Sequence, residues 1–386
     1  MPRSFRVLQL NSARKYIGEA AHTLNLTEAL RQRGHAVWLG LRKGHATFDV
    51  AAERKLEPIG FNMPHRWWPP QDAPDLRRIA RLVREHKIEL IHAHRGKDHW
   101  QAVLATRLFH LHVPVIRTRH IVTPLSGNAA NRWLARRTAA LVAVSRAVAE
   151  DVRRTGIYSG ERLALIPAGV DLALYRPASA EQKERARTQL LSSLEAPAHG
   201  PPLLAACVAR FAVVKAHRVL LAAWERVVAE LPNARLLLIG DGQLMAESQA
   251  LVRARGLERS VVFLGRRQDV SELLDAADVG VLSSVGSEGF SRAVLEYMAK
   301  GLPTVATRVG AVPDLIEDGV HGAVAPPEDE LALAQALRRV LGAEAAQRLE
   351  WGRAAREKAE RGFGYDTWAA AHEELYANVP GYQHLG

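Results

Sequence analysis

The chain has 386 residues, 48% of them hydrophobic and 24% charged, which suits a soluble globular protein of about two domains. No apolar run is long enough to span a membrane, Met1–Leu10 is too short and too charged to read as a secretory leader, and a single cysteine excludes an internal disulfide. That cysteine, Cys207, lies in an apolar run and reads as a small core residue in a reducing compartment. The formal charge of +11 is lodged in the first half: residues 1–180 hold 29 Lys and Arg against 14 Asp and Glu, the remainder 23 against 27. The first half is therefore expected to meet something anionic, whether nucleic acid, a membrane surface or a phosphorylated substrate.

In chain order, Phe5–Leu10 predicts a strand, a turn at Gly18 follows, and Ala20–Arg33 predicts a helix stopped by Gly34. Ala36–Leu39 predicts the next strand. Leu76–His86 predicts a helix with Leu76, Ile79, Leu82 and Val83 on one side and Arg77, Arg78, Arg81 and Arg84 on the other. Ile88–His92, Val113–Thr118 and Ala140–Val144 complete a βα series, the pattern of a parallel sheet covered by helices. Pro177–Pro202, rich in Ala, Ser, Glu, Lys and Pro, reads as a linker with room for a surface helix. A second series has strands at Leu203–Val208, Arg235–Ile239, Val261–Leu264, Val279–Leu282 and Thr304–Ala306, with a helix at Phe290–Lys300 and a last helix at Thr367–Ala377. The expected organisation is α/β: a first Rossmann-like domain over 1–178, a linker at 179–202, a second over 203–362, and a C-terminal helix in 363–386 that crosses back to the first.

Glu288 and Glu296 bracket the turn Gly289-Phe290-Ser291 between a buried strand and a helix. Carboxylates there can take sugar hydroxyls while the helix N-terminus takes a phosphate, a combination suited to a nucleotide sugar. The ordinary alternative is a solvated rim Glu and a water-facing helical Glu. Arg210 and Lys215 follow the first strand of the second series; a fixed fork and a mobile point charge suit a diphosphate, though two surface cations would look the same. His120 stands at a strand's C-terminal end, where α/β sites form. His92, His94 and His99 have a loose metal-like spacing, but no Asp-x-Asp pair occurs, and His94, Arg95 and Lys97 are preferred as acceptor residues over a zinc set. Gly240-Asp241-Gly242 lacks the spacing of a phosphate loop and is equally a turn. Trp67-Trp68-Pro69-Pro70, after His65-Arg66, reads as an aromatic and basic loop able to touch lipid headgroups or to pack on the domain.

Taken together, Gly18-Glu19, Arg33-Gly34-His35, Ile91-His92-Ala93-His94, Val144-Ser145, Ile166-Pro167-Ala168-Gly169-Val170-Asp171, Arg210 with Lys215, Gly240-Asp241-Gly242, Glu288-Gly289-Phe290, Glu296 and Gly301–Thr307 stand in the order found in retaining glycosyltransferases of family 4. The chain resembles that family, in its bacterial lipopolysaccharide or lipid-linked glycan type, over nearly its whole length. The resemblance implies a GT-B fold, two doubly wound parallel-sheet domains facing a central cleft. It implies that Arg210 and Lys215 stabilise the departing diphosphate, that Glu288 meets the donor sugar, and that Glu296 binds the ribose. It implies that Gly289, Phe290 and Ser291 offer N–H groups to the phosphates, that His120 lies by the reacting centre, and that Gly18 lets the first loop approach the donor. Glu19 points to the acceptor. Ser291 departs from the glycine common there, which alters the sugar contacts.

The expected activity is transfer of a hexose from a nucleotide diphosphate sugar, with no cofactor and no metal, to a glycan or lipid-linked acceptor in cell-envelope synthesis. The expected place is cytoplasmic, peripheral at the anionic inner face of the cell membrane. A nucleotide-sugar 2-epimerase of the same architecture is the alternative within the fold. A nucleic-acid-binding protein is the alternative outside it, disfavoured because the arginines are dispersed and no recognition motif is present.

Overall fold

The computed structural model describes residues 3–65, 69–123, 125–158, 160–192, 200–286 and 289–379. They form two compact units: Met1–Gly169 with Tyr365–Gly386, and Val170–Gly364. The first holds a seven-stranded parallel sheet of β1 (Arg6–Asn11), β2 (Ala36–Arg42), β3 (Ile59–Phe61), β4 (Leu90–Ala93), β5 (Val115–Arg119), β6 (Ala140–Ala143) and β7 (Leu163–Leu165), in the order β3-β2-β1-β4-β5-β6-β7. The second holds a six-stranded sheet of β8 (Leu203–Val208), β9 (Ala234–Ile239), β10 (Val261–Gly265), β11 (Val279–Leu282), β12 (Thr304–Thr307) and β13 (Gly322–Ala325), in the order β10-β9-β8-β11-β12-β13. All strand pairings are parallel among the described residues.

The central strands are buried on both faces, which is why they read as nearly unbroken apolar runs. In β1, Val7 joins a core with Leu26, Leu30, Trp368 and Tyr376, while Leu8 and Leu10 join one with Ile79, Leu82, Ile91 and Val103. In β8, Ala205 and Cys207 face Trp224 and Leu236, and Ala206 faces Val294 and Met298. Alternation along each strand thus feeds two helical layers.

The order of strands makes one switch point in each sheet. β1 lies between β2 and β4, and β8 between β9 and β11, so the chain leaves these neighbours toward opposite sides. Ligands of open α/β sheets lie past the strand C-termini at such points.

Two expected boundaries shift. The units divide at Gly169/Val170 and Gly364/Tyr365, not at 178 and 362, because Val170 pairs with Gly364 and its N–H donates to the Phe363 carbonyl at 2.7 Å. The stretch expected as a linker carries a helix, Ala180–Leu191, that belongs to the second unit. Ser179 and Gln182 form a capping box at its start; Ala186, Leu190 and Leu191 pack against Leu204, Leu237 and Ala276, and Lys183 Nζ and Arg187 Nη1 each lie 3.0 Å from the Asp278 carboxylate. Burial pushes the Asp278 carboxyl up, but Lys183 and Arg187 more than offset it and hold it below the usual range. The last helix, Tyr365–Asn378, belongs to the first unit, where Trp368 and Tyr376 are buried and Glu373 meets Arg33 Nε at 2.5 Å and His35 Nε2 at 2.7 Å.

Candidate active site

In the second unit, the loops after β8 and β11 flank the switch point. Arg210 is exposed two residues past β8, and Lys215 ends a single 3-10 turn, Val213–Lys215. That turn is latched to the end of β11: Ser283 Oγ donates to the Lys215 carbonyl at 2.9 Å and Val285 N to the Val214 carbonyl at 2.9 Å. Ala216 follows in the left-handed region, φ 48° and ψ 43°, and opens the helix His217–Glu230. His217 stacks on Phe211 at 4.1 Å between centroids; burial first and Lys215 second lower its pKa to about 4.

Gly240-Asp241-Gly242 has a structural reason. Both glycines have positive φ, 147° and 151°, and an added Cβ would lie 2.1 Å from the Ala209 carbonyl at one and 2.4 Å from the Phe211 carbonyl at the other. The turn runs flush along the 209–211 loop, with Phe211 N donating to the Asp241 carbonyl at 2.8 Å. It fixes the backbone that carries Arg210.

Past β11, Gly289 is buried, Phe290 packs near Val294, and Ser291 precedes the helix Arg292–Ala299 as its N-cap. The Ser291 hydroxyl is buried with no partner and does not cap the helix. Glu296 is 3% exposed, and Arg292 Nε donates to its Oε1 at 2.6 Å. Burial and then the Glu296 charge push the Tyr175 hydroxyl above its ordinary range. Glu288 lies outside the described residues, as do Arg66, Trp67 and Trp68.

In the first unit, the loops after β1, β4 and β5 come together. Asp98, fully buried, ties two of them. Its Oδ1 accepts from Ser12 Oγ at 2.6 Å and Ser12 N at 3.2 Å, and its Oδ2 from His94 N at 2.7 Å and Arg95 N at 2.9 Å. Burial pushes this carboxyl up against those hydrogen bonds. Gly18 begins the helix Gly18–Gln32, and an added Cβ there would meet nothing within 4 Å. Glu19 pairs with Arg95, and Lys97 Nζ lies 2.6 Å from the buried Asp72. A cavity of about 440 Å³ is bordered by Ser12, Arg14, Lys15, Arg42, Arg95 and Lys97. Its basic character shows in Arg42, whose pKa falls through burial and the neighbouring Arg14.

Beside it, His120 Nε2 lies 3.3 Å from His94 Nδ1, and the rings stack at 5.6 Å. His94 Nε2 pairs with Gln9 Oε1 at 2.9 Å. Burial, then Arg117 and Arg95, lower the His120 pKa to about 3, so the ring is neutral near neutral pH. His92 stacks on His94, but both its nitrogens are taken, by Tyr376 OH and Thr118 Oγ1 at 2.7 Å each. His99 bonds Thr138 Oγ1 at 2.8 Å and faces Arg117 Nη1 at 3.4 Å. Both are structural, and the metal-like spacing of His92 and His99 leads nowhere. The sequence reading missed His22, whose ring sits 4.5 Å from that of His120; its place four residues into the helix after the first loop was the available signal. It also missed Gln9, Arg14, Lys15 and Arg42, which gave none.

Residues 18–174 match the family described as Glycosyltransferase Family 4, and residues 202–343 the family described as Glycosyl transferases group 1. The N-acetyl-alpha-D-glucosaminyl L-malate synthase of Bacillus anthracis is 33% identical over 172 residues, 45% of this chain and 44% of that protein. The sulfoquinovosyl transferase SQD2 of Arabidopsis thaliana is 31% identical over 278 residues, 69% of this chain and 50% of that protein. The match thus spans half or less of the length of each of these relatives. In fold, the chain is similar to Anabaena Alr3699/HepE, solved in complex with UDP and glucose, with a TM-score of 0.82 and 22% identity over 97% of this chain and 100% of that one. It is likewise similar to a glycosyltransferase from Rickettsia africae, with a TM-score of 0.84 and 18% identity over 99% of this chain and 100% of that one. The two parallel-sheet units are those of the GT-B fold; a Glycosyltransferase Family 4 domain covers most of the first and a Glycosyl transferases group 1 domain most of the second.

Proposed function

We propose that this protein transfers a hexose from a nucleotide diphosphate sugar to a glycan or lipid-linked acceptor, with retention at the anomeric carbon. The observation that carries the reading is the pairing of Arg210 and Lys215 with the Gly289–Ser291 helix entry on the two strands that flank the switch point of the second sheet. A diphosphate leaving group needs fixed positive charge and aligned N–H donors where its charge develops, and these loops supply both. The UDP and glucose held by the Anabaena protein support a uridine diphosphate sugar as donor. Glu288 meets the sugar and Glu296 the ribose.

The reaction is a same-face displacement. The bond from the anomeric carbon to the diphosphate oxygen breaks, the acceptor hydroxyl bonds to that carbon from the same side, and its proton passes to the departing diphosphate. His120 lines the reacting centre as a neutral ring. The step needs no metal ion, because the cationic side chains supply the charge. Glu19, His94, Arg95 and Lys97 serve the acceptor, and the basic cavity at the last two suits an acceptor carrying phosphate.

We place the protein at the inner face of the cell membrane in envelope glycan synthesis. Arg77, Arg81 and Arg84 are exposed on one helix, and basic residues near an anionic surface contribute about 1 kcal/mol each. Among the described residues no helix is long and apolar enough to cross a membrane, so the attachment proposed is peripheral. Co-sedimentation with anionic and neutral vesicles at low and high salt tests it: salt-sensitive recovery on anionic vesicles supports it, and equal recovery on both removes it.

The transfer itself is tested by calorimetric titration with UDP, GDP and ADP. One of the three should bind the wild type and lose affinity in Glu296→Ala by about 1.5–3 kcal/mol. Equal affinities in both proteins would remove the ribose assignment. Free 2-epimer released from the donor without acceptor would replace transfer by epimerisation.

A further inference from the structure

We propose that His22, His94 and His120 form a binding site for one divalent transition-metal ion of borderline softness, Zn²⁺ being the type. One ring nitrogen from each of the three lies within 4.8 Å of the other two. They come from three elements: His22 from the helix Gly18–Gln32, His94 from the loop after β4 and His120 from the loop after β5.

The geometry fits an ion better than a chance meeting of rings. Two imidazole nitrogens bound to one tetrahedral Zn²⁺ at about 2.0–2.1 Å lie roughly 3.3–3.4 Å apart. His94 Nδ1 and His120 Nε2 are 3.3 Å apart. The tautomer of His94 is set from behind: its Nε2 faces Gln9 Oε1 at 2.9 Å, a carbonyl that can only accept, so that nitrogen carries the proton and Nδ1 keeps its lone pair. Such outer-shell hydrogen bonds orient metal-bound histidines. His22 adds an independent observation. The residue is 6% exposed, and its Nε2 is buried without a hydrogen-bond partner, an arrangement that proteins rarely leave unexplained.

Burial also keeps these rings neutral, the form that binds metal: the pKa values of His22 and His94 fall well below the ordinary range, with desolvation the largest cause. Three neutral nitrogens with no carboxylate or thiolate among them suit Zn²⁺, Cu²⁺, Ni²⁺ or Co²⁺ rather than Mg²⁺ or Ca²⁺. His120 is the least buried of the three, which leaves the fourth position for water or an acceptor oxygen.

An ion there would hold the His120 nitrogen, so metal binding and transfer would compete. That consequence rests on the transfer reading; the site does not. The test is titration of the metal-free full chain with Co²⁺, followed by the intense visible bands of tetrahedral cobalt, and competition with Zn²⁺. One equivalent should bind. His22→Phe, which keeps an aromatic edge against His120 and Trp368, and His120→Ala should each weaken binding at least tenfold. Gln9→Ala should weaken it about 10–100-fold through the ring it orients. His112→Ala, an exposed ring elsewhere, should change nothing. Circular dichroism identifies any variant that fails to fold, and the remaining ones then decide. Absence of cobalt bands at equimolar metal, or binding that His22→Phe and His120→Ala leave intact, overturns the proposal.

Discussion

Asp98→Asn tests how the first unit holds its loops. The wild-type carboxylate accepts four hydrogen bonds, at 2.6, 2.7, 2.9 and 3.2 Å, from Ser12 on one loop and from His94 and Arg95 on the other. An amide keeps one oxygen. If that oxygen stays with His94 and Arg95, the new NH₂ faces Ser12; the hydroxyl can turn to accept, but the Ser12 N–H is left bare. An unsatisfied buried donor costs about 1–3 kcal/mol, and the surviving bonds lose their charge assistance. The sum is roughly 3 kcal/mol, which a domain of about 5–15 kcal/mol survives. Urea denaturation reads the loss directly. Because both loops border the basic cavity, the acceptor KM should rise roughly tenfold or more, as misplacement of about 1 Å does elsewhere. Nucleoside diphosphate affinity, assigned to the second unit, should stay unchanged. A loss below about 1 kcal/mol, or acceptor and nucleotide affinities that fall together, would refute the reasoning.

Four further outcomes follow from the second unit. Ala216→Gly relieves a left-handed alanine and should raise stability by about 1 kcal/mol, while Ala216→Val should lower it; thermal denaturation checks both. His217 is held neutral with its pKa lowered to about 4. Below pH 6.5 the unfolded chain takes up a proton that the folded chain refuses, so stability falls from there down to about pH 4. His217→Phe should remove roughly 3 kcal/mol of that acid loss, read as a flatter stability-against-pH curve. Arg187→Ala should cost about 3–5 kcal/mol by leaving Asp278 half-paired and releasing the helix Ala180–Leu191, seen as early proteolysis between the units' strands. Arg210→Ala and Lys215→Ala should lower donor turnover far more than melting temperature; near wild-type rates in both would move the diphosphate site elsewhere.

The two sheets were legible because their central strands are buried on both faces and read as apolar runs. β3 and β7 were not, since three residues make no pattern and Leu165 of β7 is 41% exposed, and β13 was not because Gly322-Ala323-Val324-Ala325 carries a single branched apolar side chain. The helix Ala180–Leu191 passed for a linker because only Ala186, Leu190 and Leu191 reach the core, and its ion pair is with Asp278, more than ninety residues away. Arg210, Lys215 and the Gly289–Ser291 turn were named from motif order and strand context, and the structure places them on the loops after β8 and β11. Asp98 and Gln9 were not legible, because what each joins lies far off in sequence, Ser12 for Asp98 and His94 for Gln9. Arg14, on the loop after β1, and Arg42, at the end of β2, went unnamed because nothing in the sequence shows that they border one cavity.

The central claim is transfer from a nucleotide diphosphate sugar, and donor turnover tests it most directly. UDP-, GDP- and ADP-hexoses are incubated with the full chain, and nucleoside diphosphate release and the anomeric signal of the transferred sugar are followed by NMR. The account predicts release from one donor with the anomeric configuration kept, and loss of release in a folded Lys215→Ala. A folded wild-type protein that neither binds nor turns over any of the three donors would contradict it.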